Sequence, residues 1–211
     1  MFADWQFPKG GFEFYGELGI DDFTSDKVSN PFHTAIYTIG AKQNIPISNA
    51  IQKYTGELKS ELIFEWNNFE MSQDFQLQWQ YTGYYSHGSI SQGYTHKGQI
   101  LGAGSGALGN SQFLGYRVYH QHGSVLIYYH RFCPDNNYIL NKAVNDVASN
   151  LYTPYYKHYK TYRTYGLSVT QYVTKRFLLN ISAMRLFIHR PLYDDSNSQE
   201  FRLELSAKYN F

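Results

Sequence analysis

Several groups of residues in this chain have the types and spacing to do chemistry. Glu17, Asp21, Asp22, Glu61, Glu65 and Arg117 are charges set in or beside alternating segments. Carboxylates accept and a guanidinium donates several hydrogen bonds, so such a set suits the hydroxyls of a sugar; it suits internal ion pairs equally well. His87-Gly88-Ser89 puts an imidazole and a hydroxyl on one side of an extended segment, the pairing in which histidine serves as general base to a serine nucleophile. Ile90-Ser91 follows, and no Asn that could orient the imidazole lies between Ser89 and Asn110. His120-Gln121-His122, with His130 a strand away, offers metal donors but no nearby carboxylate, so neither metal nor other cofactor is expected. Gly104-Ser105-Gly106-Ala107-Leu108-Gly109 after Ile100-Leu101 spells a dinucleotide fingerprint. That motif needs a helix after it, whereas Asn110-Ser111-Gln112 leads into an alternating strand, so a glycine loop is expected. The single cysteine, Cys133, excludes an internal disulfide and reads as a lone loop thiol.

The elements that must position these residues are strands. In the last stretch Phe201, Leu203, Leu205, Ala207, Tyr209 and Phe211 share one side, and Arg202, Glu204, Ser206, Lys208 and Asn210 the other. Its 11 residues, 201–211, match the length a tilted strand needs to cross a bilayer. About nine such strands are expected, near 12–20, 33–44, 58–67, 71–82, 111–120, 123–132, 160–173, 175–189 and 197–211. Their apolar sides carry Leu62, Phe64 and Trp66; Phe75, Leu77, Trp79 and Tyr81; Leu114, Tyr116 and Val118; Val125, Ile127 and Tyr129; Tyr165, Leu167 and Val169. Opposite them lie Glu13, Glu17, Lys59, Glu61, Glu65, Gln76, Gln78, Gln80, Arg117, Thr164, Ser168 and Thr170, a polar set whose charges must pair or stay wet. In the strand from Arg176 to His189, Met184, Leu186 and Ile188 fall on the face begun by Asn180 and Ser182, so a bulge near Arg185 is expected to restore register. A short loop helix is expected over Tyr138–Ala148 from Leu140, Val144 and Val147.

Tight links are expected at Val173-Thr174-Lys175, His120-Gly123 and Asn67-Glu70, with longer ones over 190–196, 133–159, 83–110 and 45–57. Counting back from Phe211, long and tight alternate as in an outer-membrane barrel; Asp21–Phe32, with Asn30-Pro31, breaks the rule by being long where a tight turn is due.

Composition points the same way. The chain has 211 residues with 21 Tyr, 15 Phe and 3 Trp, more aromatic surface than a soluble core needs and suited to interfacial girdles. No apolar run is long enough for a helical span. A net charge of +1 with Lys and Arg scattered along the chain gives no reason to expect nucleic acid as a partner. Met1-Phe2-Ala3-Asp4-Trp5 lacks the features of an export signal, so either a signal has been removed or the chain is the tail of a longer one. An odd strand count leads to the same expectation of a larger barrel, because single-chain bacterial barrels have even numbers.

Tyr15-Gly16-Glu17, then Ile20-Asp21-Asp22, the Glu61 and Glu65 strand, Gly93-Tyr94-Thr95-His96-Lys97-Gly98-Gln99-Ile100-Leu101-Gly102 and the strand pair 111–132 together resemble the Wzi-type capsule-assembly proteins of the outer membrane. The resemblance runs from about Phe12 to Phe211. It implies an all-β, antiparallel transmembrane β-barrel domain over 1–211, the C-terminal part of a larger barrel in the bacterial outer membrane. It also implies a lectin, not an enzyme, which holds capsular or surface polysaccharide, with Tyr-rich outer loops at 83–110 and 133–159 as contact surface. The surrounding lipid is a second partner, and Phe211 would be the signal read by the barrel-insertion machinery. Two other functions stay open: a porin or transporter, from the charged lumen, and an outer-membrane phospholipase, which the His87-x-Ser89 pair resembles without that family's Asn-Gly after the serine.

Overall fold

The structure is a computed structural model and describes residues 1–20, 35–69, 85, 89–90, 92–97, 99–104, 109–134, 160–189 and 198–209. Antiparallel neighbours need only a short reversal between them, so a chain of consecutive alternating segments folds back on itself strand by strand. The product is a nine-stranded antiparallel sheet. Its strands are β1 (Phe2–Phe7), β2 (Phe12–Ile20), β3 (Ala35–Ile45), β4 (Lys59–Phe69), β7 (Gly109–His120), β8 (Gly123–Cys133), β9 (Thr161–Tyr172), β10 (Phe177–His189) and β11 (Ser198–Tyr209), each paired with its neighbours in that order. A small hairpin of β5 (Thr95–His96) and β6 (Gln99–Ile100) lies in the connection between β4 and β7. The sheet is open: β1 pairs with β2 and β11 with β10, but not with each other. The all-β antiparallel expectation holds; closure into a barrel is not seen in the described residues.

Three expectations are corrected. Asn67-Asn68-Phe69 is not a turn but the end of β4, and it pairs directly with Gly109-Asn110-Ser111 of β7, so no strand over 71–82 intervenes between them. β1 was not anticipated: Phe2 breaks an otherwise alternating Asp4, Gln6 set, and six residues give little pattern to read. The ladder of β10 is continuous from Phe177 to His189 on both sides, without a bulge at Arg185. Met184, Leu186 and Ile188 do face the polar side, and Leu186 and Ile188 are buried there, so that side is packed rather than wet at this height. A helix that was not expected, α1 (Asn49–Thr55), joins β3 to β4; the Ser48 hydroxyl starts it by accepting from the Ala50 amide at 3.3 Å. The expected helix over 138–148, the strand over 71–82 and the terminal Phe211 lie outside the described residues.

Pairing β4 with β7 puts the 21–34 link with the other long ones, and moves 46–58, expected among the long outer links, to the end with the tight ones. The connections 21–34, 70–108, 134–160 and 190–197 now gather at one end of the sheet, and 8–11, 46–58, 121–122 and 173–176 at the other. The first of the short set closes through a 3-10 turn, Pro8–Gly10, with Gly11 at φ 58° and its amide donating to the Pro8 carbonyl at 3.2 Å.

The register is one-to-one along every ladder, so each side chain keeps its face from β1 to β11. One face collects Trp5, Phe14, Phe64, Leu114, Ile127, Leu167, Ile181 and Leu203; the expected apolar sets of β4, β7, β8 and β9 all stand on it. The other carries Glu13, Tyr15, Lys42, Glu61, Glu65, Arg117, Ser168 and Glu204. On the polar face two tyrosines lie over glycines: a Cβ on Gly40 would run into the Tyr15 ring, and one on Gly166 into the Tyr128 ring. Aromatic cover of a cross-strand glycine lets a flat ring lie along the sheet and fixes register. Gly40→Val is therefore expected to lower stability by about 1–3 kcal/mol through overpacking, read as a lower urea midpoint in detergent micelles; an unchanged midpoint would show that Tyr15 does not lie there.

Candidate functional site

The polar face carries two tiers of connected side chains. In the lower tier, toward the short links, register sets Glu13 opposite Lys42 and Glu61 opposite Arg117. Lys42 Nζ donates to Glu13 Oε1 at 2.8 Å. Arg117 Nη1 lies 3.2 Å from Glu61 Oε1, and the Tyr119 hydroxyl donates to the same oxygen at 2.8 Å. Signs alternate across four neighbouring strands, which is how a two-signed face keeps its ions compensated. An open groove of about 250 Å³ runs along this tier, lined on its polar side by Gln6, Glu13, Lys42, Asn44 and Glu61.

The upper tier is more buried. Tyr15 donates its hydroxyl to Glu65 Oε2 at 2.7 Å, and Asn67 Nδ2 donates to Glu65 Oε1 at 2.9 Å. The Asn67 carboxamide also accepts from the Thr38 hydroxyl at 2.7 Å and lies 3.1 Å from Ser111 Oγ. Thr38, Asn67 and Ser111 are all buried, so this network has no water to fall back on and each bond is needed. Beside it a run of rings crosses β7 to β9: Phe113 with Tyr128 at 5.6 Å, Phe113 with His130 at 6.2 Å, His130 with Phe132 at 6.4 Å, and Phe132 with Tyr162 at 6.0 Å. At the long-link end Tyr85 packs on Phe69 and Ile36 with Ala103. Tyr85 adopts a left-handed φ of 67°, and burial pushes its phenol above its ordinary pKa.

Of the residues singled out in sequence, the fold joins Glu61 to Arg117 and brings Glu65 into the upper network. Glu17 stands one row beyond Tyr15, facing Thr38 across the β2–β3 ladder. Asp21 and Asp22 follow the end of β2 at the long-link end of the sheet and lie outside the described residues. Tyr15, Thr38, Asn67 and Ser111 were not foreseen as a unit, because only the register of β2, β3, β4 and β7 sets them side by side; Lys42, unlike Glu13, was missed as a polar-face charge for the same reason.

The rival chemistries gain no geometry. Ser89 lies in an exposed bend, and His87 is outside the described residues. His120 stands on the apolar face and His130 on the polar one, so the two cannot share a metal; among the described residues no three His, Cys, Asp or Glu could hold one. Gln99-Ile100 before the glycine run is a two-residue strand in a hairpin, not a buried strand of the main sheet. Cys133 is not a loop thiol but the last residue of β8, buried, with Sγ 3.7 Å from Thr161 Oγ1. No family model, no curated protein and no solved structure matches the chain.

The Glu61–Arg117 contact is expected to show a coupling of about 1 kcal/mol in a double-mutant cycle of Glu61→Gln and Arg117→Gln, measured by urea unfolding in micelles; strictly additive losses would mean that the two groups do not meet.

Proposed function

We propose that this chain forms the wall of a bacterial outer-membrane β-barrel that holds capsular or surface polysaccharide at the cell. The membrane half of the reading rests on one observation. Of the large apolar side chains exposed in the nine-stranded sheet, all but Phe2, Tyr119 and Tyr172 stand on the apolar face. Phe201, Leu203 and Leu205 are each about 70% open, far from any core. Soluble monomers rarely leave more than a few hundred Å² of contiguous apolar surface bare. Strands of 9 to 13 residues, as in β2 and β10, suit the thickness of a bilayer, and ladders that satisfy their backbone groups within the sheet suit a solvent that cannot. In this orientation the end with the two longest links, 70–108 and 134–160, faces the cell exterior, and the end with the three tightest links and α1 faces the periplasm. β1 and β11 run in the same direction, so an antiparallel closure takes an odd number of further strands.

The carbohydrate half is supported by the order of motifs from Tyr15 to the strand pair 111–132, and by a polar face rich in carboxylate, amide, hydroxyl and aromatic groups. Tyr85 and Ala103, drawn from the β4–β7 connection, fill part of that side at the long-link end. An inward-packed segment favours a retaining barrel over a diffusion channel.

Removing the protein from its cell is expected to release polysaccharide into the medium, measured as the cell-bound fraction of extracted capsule; an unchanged fraction would end the polysaccharide role. The orientation of the faces has its own test. Leu203→Lys should cost about 2–4 kcal/mol in folding into phosphatidylcholine vesicles, as for a cation at the bilayer midplane, while Ser206→Lys on the other face should be nearly neutral. Equal effects would invert or abolish the assignment.

A further inference from the structure

The apolar face is almost free of charge, and its exceptions are gathered in one place. Among the described strand residues it carries no Asp, Glu or Lys, and its only guanidinium groups are Arg131 on β8, Arg163 on β9 and Arg185 on β10. Register sets Arg131 directly opposite Arg163, and Arg185 opposite Tyr165, one step diagonal from Arg163. Like charges directly opposite each other on adjacent strands repel. Nothing on this face among the described residues neutralises them.

Two of them are held rather than compensated. Arg131 Nη1 donates to the amide oxygens of Asn110 at 2.6 Å and Gln112 at 2.9 Å, and Arg185 Nη2 to that of Gln199 at 2.6 Å. Arg185 also lies 5.1 Å over the Phe187 ring. Neutral amides and a ring face fix a guanidinium while leaving its charge intact. Arg163, exposed, lines a recess of about 300 Å³ with Tyr165, Phe187, His189 and Gln199. Just below this recess begins the apolar band of Ile127, Leu167 and Ile181, with Tyr129 and Tyr165 packed at 5.1 Å at its margin.

We infer that Arg131, Arg163 and Arg185 form a binding site for the phosphate of an anionic glycolipid of the outer leaflet, whose acyl chains lie along the apolar band. The inference rests on the outward orientation of the apolar face. Three points select a lipid over a free anion. The cations border an apolar surface, aromatic rings mark the boundary, and among the described strand residues the cluster lies at the long-link end, with no Lys or Arg on this face toward the other end. Arginine matches phosphate with two parallel hydrogen bonds and is weakly hydrated, so it suits an interface better than lysine would.

The test uses protein purified from membranes into a neutral detergent, with diphosphoryl lipid A as probe and native mass spectrometry as readout. Wild-type protein is expected to retain the probe, and not phosphatidylcholine, whose phosphate is screened by its own ammonium. The triple variant Arg131→Gln, Arg163→Gln, Arg185→Gln should bind at least about tenfold more weakly, a difference of roughly 1.4 kcal/mol. Arg163→Gln alone, at an exposed position, is expected to keep the fold and still bind measurably more weakly, which covers a triple variant that does not fold. Binding by the variants equal to wild type overturns the site, as does retention of phosphatidylcholine to the same extent. Displacement of the probe by an equal concentration of inorganic phosphate overturns its assignment to a lipid. Failure here with polysaccharide still lost on removing the protein would strike this site alone; normal polysaccharide retention would strike the carbohydrate reading alone.

Discussion

The unbroken one-to-one register of the nine strands is the constraint on which everything else in this molecule depends. A strand sends successive side chains to opposite faces, so a single slipped residue anywhere would move every later side chain to the wrong side. No slip occurs, even in β10, where Met184, Leu186 and Ile188 disturb the pattern and a bulge would have been the simplest repair. The fold instead accommodates these apolar groups by burying Leu186 and Ile188 on the polar face near the long links. Keeping the ladder intact outweighs keeping one face purely polar, because a backbone group left unpaired and shielded from water costs more than aliphatic groups packed on the polar side.

Given that register, the two faces solve different problems. The polar face must hold charges of both signs at close quarters, and it does so by alternating them, Glu13, Lys42, Glu61, Arg117, across adjacent strands, and by tying Glu65 into a network of Tyr15, Asn67, Thr38 and Ser111. Interactions of this kind rigidify a wall as well as they present it to a ligand. The apolar face has the reverse economy. Among the described strand residues it carries three arginines and no other Lys, Arg, Asp or Glu, and Arg131 and Arg185 are held there by amides and a ring that leave their charge uncompensated. Scattered through the chain, they are clustered only on the sheet.

The connections follow from the same geometry. With β4 paired to β7, the two longest links, 70–108 and 134–160, lie at one end and the three tightest at the other, and the connection between β4 and β7 contributes Tyr85 and Ala103 to the polar side near Phe69 and Ile36. The end that carries the long links is therefore also the end where the polar face is most buried and where the arginines stand on the opposite side.

Most of the strand set was legible in the chain, since β2, β3, β4 and β7 to β11 announce themselves by alternation, and alternation is a local property written by neighbours two apart. The two faces were legible for the same reason, and so was the presence of Glu61, Glu65 and Arg117 on the polar one. What the chain alone left undecided is which segments are neighbours. Asn67-Asn68-Phe69 looks like a turn because Asn is a turn residue, and only its pairing with Gly109-Asn110-Ser111 makes it strand. The partnerships of Glu61 with Arg117, of Tyr15 with Glu65, and of Arg131 with Arg163 join residues 56, 50 and 32 positions apart. Such contacts are set by the register between strands, which depends on the whole sheet assembling, and no local pattern of side chains encodes it.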